Sequence, residues 1–171
     1  MNIKGVYFTE TQYYKTAWVW LIALLIESTI FIMLIANYDK FDIEKFELED
    51  FYIMWGIFSI MFLGLFFLFR YMYIEIIINS EGIHYKAPPM LNKYKIIGRH
   101  NIFEYSIGKY KPITEVGGRG YKPNSKKTQI ALTMEGNIGL KIKTKDGKLF
   151  IFGTLREAAL LFAMNKLMEN S

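Results

Sequence analysis

The sequence predicts a chain in two parts: a pair of apolar helices and a mainly-β domain of about seven antiparallel strands, a sandwich or open barrel capped by a C-terminal helix. Three observations predict it. Apolar residues make up 52% and charged residues 22% of the 171 positions, and the two kinds are segregated, with dense apolar blocks at residues 17–36 and 51–69. The hydrophobic period turns from helical to alternating near residue 71. It turns back to helical after residue 153.

The first block, AWVWLIALLIESTIFIMLIA, holds one charge, Glu27, and the second, FYIMWGIFSIMFLGLFFLF, holds none. About 20 helical residues cross a hydrocarbon core, where only a helix satisfies its own backbone. Trp18, Trp20, Tyr38, Tyr52, Trp55, Tyr71 and Tyr73 flank the blocks as an aromatic belt would. The reading is therefore two transmembrane helices, 17–36 and 51–70. The first is too long for a signal peptide and has no small-residue cleavage site after it. Between them, residues 37–50 carry six acidic residues and two lysines, whereas the chain after Phe69 carries seventeen Lys plus Arg against eight Asp plus Glu. By the positive-inside rule the acidic loop is extracytoplasmic. The tail 1–16 and the domain 71–171 are then cytoplasmic, which makes a multi-pass protein of the inner (cytoplasmic) membrane.

An ionised acid at the bilayer centre costs at least about 2.5 kcal/mol, so Glu27 should be protonated, paired or turned toward protein. Gly56 and Gly64 make a small-residue seam on the second helix. Glu27, Gly56 and Gly64 are thus expected at a helix–helix or oligomer contact.

The β domain reads in order. YIEIIIN (73–79), the turn SEG and IHYKA form a hairpin. Pro88 and Pro89 interrupt the chain before KYKII (93–97), and FEYSIGKY (103–110) is a further strand. TQIALTM (128–134), IGLKIKT (138–144) and KLFIFG (148–153) follow, the last two joined by Lys145-Asp146-Gly147, a strong hairpin signal. Thr154 and Glu157 have capping-box spacing. Beyond them Leu155, Ala159, Phe162, Ala163 and Leu167 recur at helical spacing, the expected buried face of the closing helix.

These stretches carry a resemblance. SEGIHYK, GRHNIFEYSIGKY, EVGGRGY and GNIGLKIKTKDGKLFIFGTLRE resemble small bacterial membrane proteins in which two N-terminal transmembrane helices precede a bacterial pleckstrin-homology-like (bPH) domain. The match covers about residues 71–168. Arg119 stands where that group commonly has tryptophan. The resemblance implies a pleckstrin-homology-like β-sandwich and the two-span topology, and says little about mechanism.

Chemistry is sparse. The only histidines, His84 and His100, lack a carboxylate or a second histidine at metal-ligand spacing. The serines lack a nucleophile-elbow context, and there is no cysteine. No catalytic residue, metal site or cofactor is expected. Two surfaces remain. Gly117, Gly118, Arg119, Gly120, Lys122, Lys126 and Lys127 combine glycine freedom with cations, as an anion-binding nest would; a plain soluble turn has the same composition. Lys141, Lys143 and Lys145 alternate with Leu140, Ile142 and Thr144, so they should leave one sheet face as a basic surface facing anionic lipid, or as an ordinary solvated face. The expected function is a non-enzymatic integral membrane protein presenting a pleckstrin-homology-like domain at the cytoplasmic face for protein or anionic-headgroup binding. The alternative is an accessory subunit or small oligomeric channel acting through the hairpin and Glu27. Expected partners are membrane lipids and either a second copy or another protein. Nucleic acid is disfavoured, because the basic residues are scattered through a β domain with no recognition helix.

Overall fold

The computed structural model describes residues 5–13, 17–36, 48–124 and 128–169. The chain divides into a helical unit, Lys15–Arg70, and a β unit made of Met1–Tyr14 and Tyr71–Ser171.

The two apolar blocks are helices, α1 (Ala17–Ala36) and α2 (Leu48–Tyr71). Among the described residues, however, no helix is long and apolar enough to cross a membrane. Crossing takes about 20 predominantly apolar helical residues; α1 carries the consecutive polar residues Glu27, Ser28 and Thr29 in its middle, and α2 begins with Glu49 and Asp50 and ends with Arg70. This finding overturns the two-span hairpin, and with it the resemblance to two-span membrane proteins. The multi-pass inner-membrane location falls too, as do both functional readings built on it. Most of the acidic loop, residues 37–47, lies outside the described residues. Within the helical unit Trp20 packs against Phe62, Phe66 and Phe69, with ring centroids 5.4, 5.1 and 6.3 Å away.

The β unit has two sheets, consistent with a β-sandwich, and a C-terminal helix. The first sheet runs β1 (Phe8–Tyr13), β2 (Tyr73–Asn79), β3 (Gly82–Ala87), β4 (Leu91–Gly98), each antiparallel to the next. After a short 3-10 turn, Arg99–Asn101, come β5 (Ile102–Lys109), β6 (Gly120–Pro123), β7 (Gln129–Thr133), β8 (Ile138–Thr144) and β9 (Leu149–Thr154). They lie in the order β5-β8-β9-β7-β6, with only the β7–β9 pair parallel. Nine strands among the described residues thus replace the expected seven. The additions are β6 and β1, the latter in a segment expected to be a tail. β1 pairs with β2 from Phe8 opposite Ile78 to Tyr13 opposite Tyr73, so the helical unit is inserted in the connection between two paired strands.

Alternation explains which side of each strand is buried. Phe8, Ile74, Ile76, Ile78, Ile83 and Tyr85 of the first sheet meet Ile130, Leu132, Leu140, Ile142, Phe150 and Phe152 of the second. The Tyr85 ring lies 5.9 Å from Phe150 and 5.4 Å from Phe152, and burial pushes its hydroxyl up to about 12. The closing helix, α3 (Glu157–Glu169), buries Leu160, Ala163, Met164 and Leu167. Spacings of 3, 1 and 3 make that a single stripe. Of the expected face only Ala163 and Leu167 are inside; Leu155 is exposed because it precedes the helix, and Ala159 and Phe162 are exposed because they lie to one side of the buried stripe through Leu160 and Met164.

The start of α3 is secured by a strand distant in sequence. Thr154 Oγ1 accepts from Arg156 N–H at 3.0 Å and donates to Glu10 Oε2 at 2.6 Å. Glu10 Oε1 accepts from Leu155 N–H at 2.9 Å and from Gln12 Nε2 at 2.7 Å. Instead of Glu157 in a local box, Glu10 of β1 supplies the carboxylate at this positive helix end.

Candidate functional site

The surfaces singled out in the sequence resolve differently. In the glycine loop Gly117 and Gly118 do adopt positive φ, 72° and 111°. Their N–H groups are spent inside the loop, on the carbonyls of Ile113 at 3.1 Å and Pro112 at 2.7 Å. Thr133 Oγ1 adds a bond to the Gly118 carbonyl at 3.4 Å. A nest needs free, converging N–H donors, and these two donors close a turn. Gly120 opens β6, Arg119 and Lys122 are exposed, and Lys126 and Lys127 lie outside the described residues.

The segment leading into this loop is a strap across the outer face of the second sheet. Tyr110 and Val116 are buried there against Ala131 and Ile151. The ring of Tyr110 lies over a glycine shelf. Gly139 and Gly153 are opposite each other on β8 and β9, and a Cβ added at either would lie 3.1 or 3.0 Å from Tyr110 atoms. Burial raises the Tyr110 hydroxyl above the ordinary tyrosine range. Lys141 ties the strap down through Glu115 Oε2 at 3.1 Å, and that bond holds the Glu115 carboxyl below its usual range.

Of the expected lysine row, Lys141 and Lys143 do share the outer face of β8, but each already has company. Lys141 is paired with Glu115, and Lys143 sits 5.8 Å over the ring of Phe103. Lys145 lies beyond the strand in the hairpin turn, its N–H bonded to the Asn101 carbonyl at 2.9 Å. The seam expected at Gly56 and Gly64 is not formed among the described residues: a Cβ at either glycine would meet nothing within 4 Å. Glu27 is half-buried, and its neighbours Ser28 and Thr29 bond back to the Leu24 and Leu25 carbonyls, each at 2.7 Å.

The ionisable side chains inside the β unit serve the fold. His84 Nε2 lies 3.1 Å from Asn79 Oδ1, which also accepts from the N–H groups of Glu81 and Gly82 and so shapes the β2–β3 turn. Lys86 pairs with Glu75 at 2.8 Å between the rings of Tyr73 and Tyr94. Burial lowers its affinity for the proton, but bonds to Glu75, Tyr94 and Tyr73 outweigh that and hold it above the ordinary lysine range. Among the described residues no group of three or more His, Cys, Asp or Glu could hold a metal ion.

A different feature, missed in the sequence, is the open edge of the second sheet. The two sheets end in four edge strands: β1, β4, β5 and β6. Exposed edges invite pairing unless blocked by charge, proline, brevity or cover. β6 is four residues long and ends in Pro123. β4 presents the exposed lysines Lys93 and Lys95. The Thr9 carbonyl of β1 accepts from Arg156 Nη2, whose guanidinium also stacks 4.9 Å over Phe8.

β5, IFEYSIGK, has eight residues, with a register shift between Ile102 and Glu104 and exposed charges at Glu104 and Lys109; between those charges, from Tyr105 to Gly108, it has neither charge nor proline. Tyr110 N–H donates to the Asn137 carbonyl of the β8 side at 2.7 Å, in register with Lys109 opposite Ile138 and Glu104 opposite Lys143. Antiparallel bonding alternates. The even-numbered residues of β5 therefore turn their backbone groups to β8, and the N–H and C=O groups of Tyr105, Ile107 and Lys109 face the open side. Phe103 beside this edge is 64% exposed. No protein-family model, curated protein or solved structure matches the chain.

Proposed function

We propose that this protein is a non-enzymatic interaction module whose β unit, of pleckstrin-homology-like arrangement, binds an extended polypeptide as an added strand on β5. The arrangement is supported by a four-stranded antiparallel meander, a second sheet packed across it, and a C-terminal helix set into the same core. The non-catalytic reading is supported by where the buried ionisable groups spend their bonds, on turns, caps and sheet faces. The observation that carries the function is the contrast among edges: β1, β4 and β6 are each blocked, and β5 has an uncharged, proline-free stretch from Tyr105 to Gly108. In strand addition, main-chain bonds supply affinity and alternate side chains supply selectivity.

The test is selection of random extended peptides on the full-length chain. Wild type retains peptides, and Ser106→Lys, which puts a charge on the exposed side of the edge, weakens them at least about tenfold. Lys109→Pro, which removes one outward N–H, weakens them by a smaller factor. Equal retention by all three chains rejects the proposal.

A further inference from the structure

We infer that α2 pairs with α2 of a second copy, antiparallel about a two-fold axis at Ile60; this goes beyond the reading of β5 and does not depend on it. Among the described residues of the helical unit none is buried. A helix apolar on every side belongs inside something, and a lone chain rarely exposes more than a few hundred Å² of contiguous apolar surface. At about 100° per residue, Phe62, Phe66 and Phe69, the rings against Trp20, share one side of α2. Ile53, Gly56, Ile60, Gly64 and Phe67 fall within about 40° of one line on the opposite side. Ile53, Ile60 and Phe67 are 61%, 71% and 54% exposed, and a Cβ at either glycine would meet nothing within 4 Å.

The spacing along that line selects its occupant. The steps between its residues are three, four, four and three, a palindrome about Ile60. Turned end for end, the line therefore fits itself. Ile53 of one copy is level with Phe67 of the other, and Gly56 with Gly64, once on each side of the axis. Ile60 meets its own copy at the centre, between glycines that let the backbones come close, since the side chains at a contact set the distance between helix axes. The charges favour the same direction. α2 begins with Leu48-Glu49-Asp50 and has Arg70 in its last turn, so antiparallel helices bring each acidic start level with the other's basic end. Parallel helices would set like charges together at both ends. Opposite potentials across a contact fix its register, and closed two-fold pairing is the commonest form of homo-oligomer.

The chain contains no cysteine, so single substitutions report the register without background. In the full-length protein, Ile60→Cys is expected to give a disulfide-linked dimer on mild oxidation. Ile53→Cys and Phe67→Cys are each expected to remain unlinked alone and to cross-link when mixed. Ile60→Glu sets two carboxylates against each other at the axis and should raise the concentration at which dimers form at least about a hundredfold. Gly56→Leu holds the backbones apart while favouring the helix itself, and should raise it at least about tenfold. Both new side chains point into open space in the single chain, so the helical circular-dichroism signal should be unchanged. Ser106→Lys should leave the dimer intact. Light scattering that finds only monomers through the micromolar range overturns the pairing, whether the monomer carries lipid, another protein or nothing. So does an Ile53→Cys chain that links to itself, which marks parallel helices. A dimer lost with Ser106→Lys and kept with Ile60→Glu overturns it too, because the contact then lies at β5.

Discussion

β1 and β5 are both edge strands, six and eight residues long, and they are finished in opposite ways. β1 is enclosed by its own chain. It buries Phe8, Glu10 and Gln12, bonds to the start of α3, and has a carbonyl covered by Arg156. β5 offers Phe103, Glu104 and Ser106 to solvent and, among the described residues, has no strand beyond it. An edge that the fold needs is covered by the fold; an edge left bare is available to another chain. The helical unit shows that this division does not follow chain order, because it separates β1 from β2, the strand it pairs with.

The largest expected effect comes from breaking the β1 side. A chain starting at residue 71 lacks β1, opens the core at Phe8, and leaves Thr154 Oγ1 and Leu155 N–H without their acceptor. Net stabilities are only about 5–15 kcal/mol, so loss of the cooperative thermal transition is expected. Joining residues 5–13 to 72–171 through a short glycine-asparagine turn should restore it, since Tyr13 and Tyr73 are already opposite each other. Failure of the joined chain to unfold cooperatively would show that the helical unit is required for the β unit to fold. Glu10→Ala comes next. It leaves buried donors unpaired at about 1–3 kcal/mol, to be read by denaturant titration, whereas Glu104→Ala on β5 should stay within about 0.5 kcal/mol.

Glycines sharpen the same contrast. Gly139→Ala drives a Cβ to 2.8 Å from the Phe152 carbonyl oxygen and 3.1 Å from Tyr110, an overpacking cost of about 1–3 kcal/mol. Gly108→Ala, across from it on β5, meets open space and should be neutral or stabilising by up to about 1 kcal/mol. A large loss at Gly108 would mean that the β5 face is covered after all. The smallest effect is alkaline. Tyr85 holds its proton more tightly folded, near 12, than unfolded, near 10. Its contribution to stability is therefore complete below about pH 10 and disappears as pH rises toward 12. Tyr85→Phe should flatten the fall in melting temperature across that window, and an unchanged slope would place the titrating group elsewhere.

Much of the β unit was legible because its signals are local. Alternation located β2 and β8 to the residue, and Lys145-Asp146-Gly147 marked the β8–β9 hairpin, where Gly147 takes φ 79°. β1 was not legible. FTETQY is short and polar, and its value lies in Glu10 and Gln12 reaching the start of α3 more than 140 positions away. The glycine loop was legible as composition alone, since the same N–H groups can bind an anion or close a turn. The edge at β5 was least visible of all. An unguarded strand looks like any other until its neighbours are known.

By itself, then, the sequence determined where most helices and strands form, β1 and β6 excepted, through periodicity and turn chemistry acting within a few residues. It also limited the chemistry, with two histidines and no cysteine to work with. Only the tertiary structure decided which strands pair, that the N-terminal segment closes the first sheet, and that β5 ends the second. Those outcomes depend on residues far apart in the chain competing for the same core and the same backbone partners, and no local pattern records who wins.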